Sequence, residues 1–320
     1  MSLVARYAAR RILMLIPTLL GVLLITLFVP RLIPGDAVSM ILGTESVISP
    51  ERANEMRRLL GLERPIHVQF IEYVAGLARG DFGRSLRTGA PIGPLLLERF
   101  SISFALTLYA TVIAIAISVP IGVMVSSSRS VWLGLVVRIA SLIGLSVPQF
   151  WMGTLLLIGA TFYFPGVFPT VGAPRIGDGV VAWLQGSLLP AFALSVTMAA
   201  VLVRMIRSSM LEVLSQDYVR TAWAKGLTRR VVFFSHALRN AFIPVVTEIG
   251  LQFGLILGGA ILVETVFTYP GFGLLVMRAI EQRDYPILQG ALLLSALLFS
   301  LINLAVDMAY ALLDPRISYE

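Results

Sequence analysis

The sequence predicts an all-α integral membrane protein: six transmembrane helices, both termini cytoplasmic, a large extracytoplasmic loop after the first helix, and a short cytoplasmic helix between the fourth and fifth. Three observations predict it. First, 57% of the 320 residues are hydrophobic and only 13% charged, with a mean hydropathy of +0.87, whereas a soluble domain is about 45–50% apolar. Second, the chain contains uncharged runs of the ~20 residues that a helix needs to cross hydrocarbon. Third, its arginines crowd into particular loops, which sets orientation through the positive-inside rule.

The first span is the uncharged run 12–30, preceded by Arg6, Arg10 and Arg11. It exceeds the usual apolar core of a signal peptide, about 7–15 residues, and no small-x-small cleavage site follows, so it reads as an uncleaved span with the N-terminus inside. Residues 31–99 form the one long polar region, with 9 Arg and 8 acidic residues. Long loops translocate largely regardless of charge, so this region is placed outside. Within it Ser49, Pro50 and Gly61 mark a capped helix, and Gly80-Asp81-Phe82-Gly83-Arg84-Ser85 is turn chemistry.

Residues 100–128 carry no charge and form the second span. The third lies within 139–174, interrupted by Pro148 and by Phe164-Pro165-Gly166, with Phe162, Tyr163, Phe164 and Phe168 grouped as interfacial aromatics. The fourth fits between 179 and 203, where Gly186 and Pro190 suggest close packing or a kink. The fifth runs from Asn240 to about Val266 and the sixth from Ile287 to about Leu313, with the loop 267–286 outside. Glu248 and Asp307 are tolerable near span ends or toward protein, since a lipid-facing carboxylate at mid-span costs about 2.5–3.5 kcal/mol. Three units follow: 1–30, the extracytoplasmic region 31–99, and a five-helix core over 100–320.

Between the fourth and fifth spans, residues 204–239 hold seven basic residues against two acids, a net +5. Such a loop beside two spans is cytoplasmic, and counting back returns the N-terminus to the same side. The overall +7 therefore reflects inside loops, and nucleic acid is not an expected partner. Within the loop, Asp217 to Lys225 reads as a short helix stopped by Gly226, and Thr228 as the N-cap of a second helix over 229–239. Pro244 lacks an N–H and clashes with residue 240, so a bend into the fifth span is expected at Asn240.

Enzyme chemistry finds no footing. There is no Gly-x-Ser-x-Gly, no His-Glu-x-x-His and no cysteine; the two histidines, His67 and His236, fall on opposite sides of the membrane in this topology. No Gly-x-x-x-x-Gly-Lys-Ser/Thr occurs, so nucleotide chemistry would belong to another chain. The alternative of an ATP-independent secondary transporter or channel requires buried ionisable groups for ion coupling, and the spans offer few beyond Glu248 and Asp307.

The stretch 217–244 resembles the cytoplasmic coupling motif of ATP-binding-cassette (ABC) importer permeases, in particular the B-type subunits of the peptide branch (dipeptide, oligopeptide and nickel systems). Arg220-Thr221-Ala222 stands where the wider superfamily has Glu-Ala-Ala, Gly226 at the motif's glycine, and Ile243-Pro244 at its closing hydrophobic-Pro. The resemblance extends over nearly the whole chain. Arg11-Ile12-Leu13, Ile33-Pro34-Gly35-Asp36, the GDFGRS signature at 80–85, Ser146-Val147-Pro148-Gln149-Phe150-Trp151 and the ETVFTYPGFG segment at 264–273 occur in the family's order.

The resemblance implies a permease in a bacterial or archaeal cytoplasmic membrane, working with a second similar permease, two cytoplasmic ATPases and an extracytoplasmic substrate-binding protein. ATP and Mg would sit on those partners, and this chain would bind no cofactor or metal. The coupling helix, within 217–239, would dock in a groove on an ATPase through Tyr218, Ala222, Gly226 and Leu227. Arg220, Thr221 and Lys225 lie beside them, and Pro244 passes the motion onward. Glu248, Gln252 and Glu264 are candidate residues of the translocation path. The exported loop and 267–284 are expected to meet the binding protein.

Overall fold

A computed structural model describes residues 13–14, 16–26, 64–128, 130–169, 172, 177, 179–228 and 231–313, with side chains omitted for 306, 307 and 309–313. The described residues are helical, with one isolated antiparallel bridge between Arg84 and Pro91. In order they form α1 (Ile16–Thr26), α2 (Ile66–Ala78), α3 (Ile92–Ser127), α4 (Val131–Ser146), α5 (Gln149–Tyr163), α6 (Val180–Leu214), α7 (Asp217–Ala224), a π-helix (Val232–Ala237), α8 (Leu238–Gly259), α9 (Ile261–Val266), α10 (Phe272–Glu281) and α11 (Tyr285–Leu313).

Among the described residues four helices are long and apolar enough to cross a membrane: α3, α6, the continuous Val232–Gly259, and α11 over Tyr285–Ala305. The pair α4 and α5 meets the same test together but turns through 100° between its halves. Pro148 causes the turn. It biases Val147 toward extended backbone, seen at φ −80°, ψ 121°, and has no N–H with which to continue α4. The expected interruption is therefore a sharp corner, and the helix before it starts at Val131, ahead of the predicted 139. The expected exported helix after Ser49 lies outside the described residues, as do the flanks of the first span.

The centre of the molecule is α6. In its apolar window 67% of residues are buried, against 39% for α3 and 22% for Val232–Gly259. Its buried surface is built from small residues, including Gly186, Ser187, Ala191, Ala193, Ser195, Ala199 and Ala200. In lipid there is no hydrophobic drive between helices, so close backbone approach supplies the packing. Gly122 of α3 shows how close: a Cβ there would stand 2.7 Å from Ile206 of α6. Gly144 of α4 is similar, 3.2 Å from Ala200, and Thr197 donates to its carbonyl at 3.4 Å.

The region expected to be a simple outer loop, 267–286, contains α10, whose Phe272, Leu274, Val276 and Ala279 are buried. Phe272, Val276 and Ala279 join Ile92 and Leu96 of α3 and Ile287, Ala291 and Leu294 of α11 in a second apolar cluster. That packing explains why α3 begins at Ile92, eight residues before the uncharged run. Two polar latches hold this end. Ser103 of α3 donates to the Glu264 carboxylate and accepts from the Phe272 N–H at 2.7 Å, while Arg99 donates to the Pro270 carbonyl at 2.9 Å. Ser85 of the GDFGRS turn donates to Asp284, which also accepts from the Leu86 N–H at 3.3 Å.

Candidate coupling site

The short helix α7 is polar, and its sequence explains its pose. Asp217 in the first turn complements the helix dipole. Val219 and Ala222, three residues apart, are its two buried positions; they join the main core beside Val232, Phe233 and Ala237 of the π-helix. The opposite surface exposes Tyr218, Arg220, Thr221, Trp223 and Lys225.

The helix stops as a Schellman motif. Gly226 has φ +76°; its N–H donates to the Trp223 carbonyl at 2.9 Å and the Leu227 N–H to the Ala222 carbonyl at 3.4 Å. Leu227 then packs against the main core. The chain re-enters helix with the Val232 N–H on the Thr228 carbonyl at 3.1 Å. From Val231 onward the expected second helix is present, while 229 and 230 lie outside the described residues; it does not end at Asn240 but continues into α8, and Pro244 lies within α8. The irregularity is the π-helix Val232–Ala237, upstream of the proline. A π-turn widens the helix and re-aims the side chains that follow it.

Asn240 is the first residue to benefit. Its Nδ2 donates to the Tyr218 hydroxyl at 2.7 Å and to the His236 carbonyl at 3.4 Å, tying α7 to the start of the long helix. The Arg220–Asp217 pair, 3.7 Å apart with side chains 79% and 97% exposed, adds little, since exposed pairs are worth about 0–1 kcal/mol. Arg220 is therefore free to face outward.

Residues 118–319 match the family described as binding-protein-dependent transport system inner membrane component, and residues 4–107 match its N-terminal companion. The chain belongs to this family. Among its relatives, the dipeptide transport system permease protein of Escherichia coli (strain K12) is 39% identical over 98% of this chain and 99% of its own length. The dipeptide transport system permease protein of Alkalihalophilus pseudofirmus is also 39% identical, with the same coverage. The glutathione transport system permease protein of Salmonella choleraesuis is 40% identical, again over 98% and 99%. In fold the chain is similar to a chain of the inward-facing MetNI methionine ABC transporter, with a TM-score of 0.55 over 69% of this chain and 96% of that one at 17% identity. The protein is a permease subunit of an ABC importer, a multi-pass component of the inner membrane.

Several residues singled out in the permease sequence occupy places that their types alone do not reveal. Ala222, expected on the docking face, is 7% exposed and turned inward, because Val219 and Ala222 together form the apolar stripe that seats α7. Glu264, a candidate path residue, is fully buried and held by Ser103 and by the Leu274 N–H at 3.1 Å; it is a structural latch. A methyl on Gly271 would overlap its carboxylate, and one on Gly273 would come within 2.6 Å of Ile261 Cα, so both glycines are required there.

Glu248 and Gln252 are half-buried one turn apart on α8, with Gln252 Nε2 donating to Glu248 Oε1 at 2.8 Å. Two contributors escaped the sequence reading: Trp223, 42% exposed on an otherwise polar surface, and Asn240 as a clamp. Trp223 was legible as a large aromatic beside a docking motif. The clamp was not, since it joins residues 22 positions apart. Among the described residues no cluster of three or more His, Asp or Glu is placed to hold a metal ion.

Proposed function

We propose that this permease forms half of a translocation path for peptides or similar small solutes. A second permease completes the path, two cytoplasmic ATPases carrying ATP and Mg drive it, and an extracytoplasmic binding protein delivers the solute. The observation that carries the reading is α7: a short helix anchored to the core by Val219 and Ala222, exposing Tyr218, Arg220, Thr221, Trp223 and Lys225, and tied through Asn240 to a helix long enough to cross the membrane. An ATPase that grips Tyr218, Arg220, Trp223, Lys225 and the Gly226-Leu227 corner moves that helix. Pro244, inside α8, supplies a point of compliance. Peptide cargo is supported by the relatives, which are named for dipeptide and glutathione transport at 39–40% identity.

Six spans with both ends cytoplasmic fit this role. The four long helices, the bent pair and the apolar run containing α1 account for six, and the basic loop 204–239 orients them. In this arrangement 1–30 is the first span with its inside leader, 31–99 the exported region, and 100–320 the core. Glu248 and Gln252, half-buried and paired on α8, are the residues we place on the path. The chain binds no cofactor of its own in this scheme and hydrolyses no ATP.

The test is reconstitution with the partner subunits in vesicles, scoring solute uptake against ATP hydrolysis. Dipeptide and glutathione uptake requiring both ATP and the binding protein is expected; flux by this chain without ATPase subunits would sink the proposal. Sidedness is read separately, by a thiol placed at Thr228 in this cysteine-free chain. An impermeant reagent should label it only from the cytoplasmic side.

A further inference from the structure

The groove between α4 and α6 is lined by three arginines, Arg138, Arg204 and Arg207, around a cavity of about 300 Å³. Apart from Ser141 the remaining wall is apolar, with Leu142 and Val203, and there is open space beside Gly134. Among the described residues no carboxylate lines it. Nε of Arg207 is buried and has no hydrogen-bond partner among the described residues, although buried polar atoms in a native fold are nearly always paired. The residue that carries this unpaired nitrogen lines the groove, so the Arg207 side chain has donor capacity that no described residue takes up.

Depth selects the kind of anion. Arg204 lies 24 residues beyond Val180, the first residue of α6, which at 1.5 Å per residue is about 36 Å along the helix. The hydrocarbon core is about 30 Å thick, so Arg204 and Arg207 stand at headgroup level on the basic, cytoplasmic side. Arg138 meets them from α4, seven residues after Val131. Leu142 continues from Arg138 along α4 toward the hydrocarbon, and Val203 flanks the arginines on α6.

We propose that this groove seats one acidic phospholipid of the cytoplasmic leaflet. Its phosphate is gripped by Arg207 and Arg204, with Arg138 closing the far side, and an acyl chain lies along Leu142 and Val203. Guanidinium forks suit phosphate oxygens bidentately, and basic pockets between spans on the cytoplasmic side are suited to such headgroups. The lipid would add a bridge between α4 and α6, whose direct contacts include Gly144 and Thr197. This inference does not depend on the proposed cargo or ATPase docking, because it is read by lipid retention without a transport assay.

The experiment is native mass spectrometry of the assembled importer, purified from membranes and exchanged into detergent with defined phosphatidylglycerol or phosphatidylcholine. One phosphatidylglycerol per copy of this chain is expected to be retained, with phosphatidylcholine lost. Arg207→Gln and Arg204→Gln should each weaken retention about fivefold, the factor a basic residue near an anionic surface contributes. Gly134→Leu keeps all three charges but fills the groove; a Cβ at Gly134 meets nothing within 4 Å, so the fold tolerates the change. It should abolish retention. Equal retention of phosphatidylcholine, unchanged retention in Gly134→Leu or Arg207→Gln, or displacement of the lipid by millimolar inorganic phosphate would each overturn the proposal, the last showing a free-anion site.

Discussion

The Tyr218 hydroxyl accepts a hydrogen bond from Asn240 Nδ2 at 2.7 Å, joining the short helix α7 to the foot of the long helix Val232–Gly259. The bond spans the corner at Gly226 and the π-turn, so the two helices are braced at both ends of the connection.

Tyr218→Phe removes that bond and nothing else. At this exposed site a hydrogen bond is worth about 0.5–1.5 kcal/mol, so the amount of assembled importer should change little. If the brace transmits motion, uptake per ATP hydrolysed should fall by about two- to tenfold, the same energy expressed as a ratio. Asn240→Ala should match it, and the double variant should be no worse than either single one. An unchanged ratio in both would remove the brace from the mechanism.

Gly226 tests backbone rather than contact. Its φ is +76° and a Cβ would meet nothing within 4 Å, so any penalty is conformational. Gly226→Val should cost about 1–2 kcal/mol of local strain and misplace Arg220 and Lys225. The expected readout is normal membrane insertion with ATP hydrolysis uncoupled from uptake. Gly226→Asn, whose side chain tolerates left-handed backbone, should retain most of the coupling, and equal loss in both variants would point away from the Schellman stop.

Ser103→Ala strips a donor from the buried Glu264 carboxylate and an acceptor from the Phe272 N–H. A buried polar group left without its partner costs about 1–3 kcal/mol, so the purified chain should show a lowered Tm while α7 keeps its reactivity. Ser103→Thr, which retains the hydroxyl, should recover part of the loss. A Tm unaffected by Ser103→Ala would deny the latch.

Gly122→Ala drives a methyl to 2.7 Å from Ile206. Overpacking of this kind costs about 1–3 kcal/mol. Combining it with Ile206→Ala should restore part of the stability by vacating the occupied space, a coupling that thermal melts of the four-member cycle can measure. Simple additivity would mean that the α3 to α6 contact is looser than the coordinates describe.

Much of the coupling element was readable in advance because its signals are local. Gly226 as a left-handed stop, the helix from Asp217 and the corner at Pro148 each follow from residue type and its immediate neighbours. Ala222 was misassigned for the same reason: i, i+4 spacing put it on a face with Tyr218, but the choice of which face turns inward belongs to the π-helix, whose Val232 and Phe233 receive Val219 and Ala222. Pro244 does not terminate its helix: α8 continues through it to Gly259, and the departure from α-helical hydrogen bonding lies upstream, in the π-segment Val232–Ala237.

Apolarity, the Arg bias of the loops and the spacing of glycine and proline are properties of single residues and their near neighbours, and they already specified a multi-span helical protein with a basic elbow between two of its spans. Glu264 shows the other kind of fact. In the sequence it is a carboxylate beside a tyrosine and two glycines, compatible with a path, an interface or a core. Ser103, 161 positions away, and the space left by Gly271 and Gly273 make it a latch. A buried carboxyl group is tolerated only where hydrogen-bond partners converge on it, and that convergence exists only once the helices are packed.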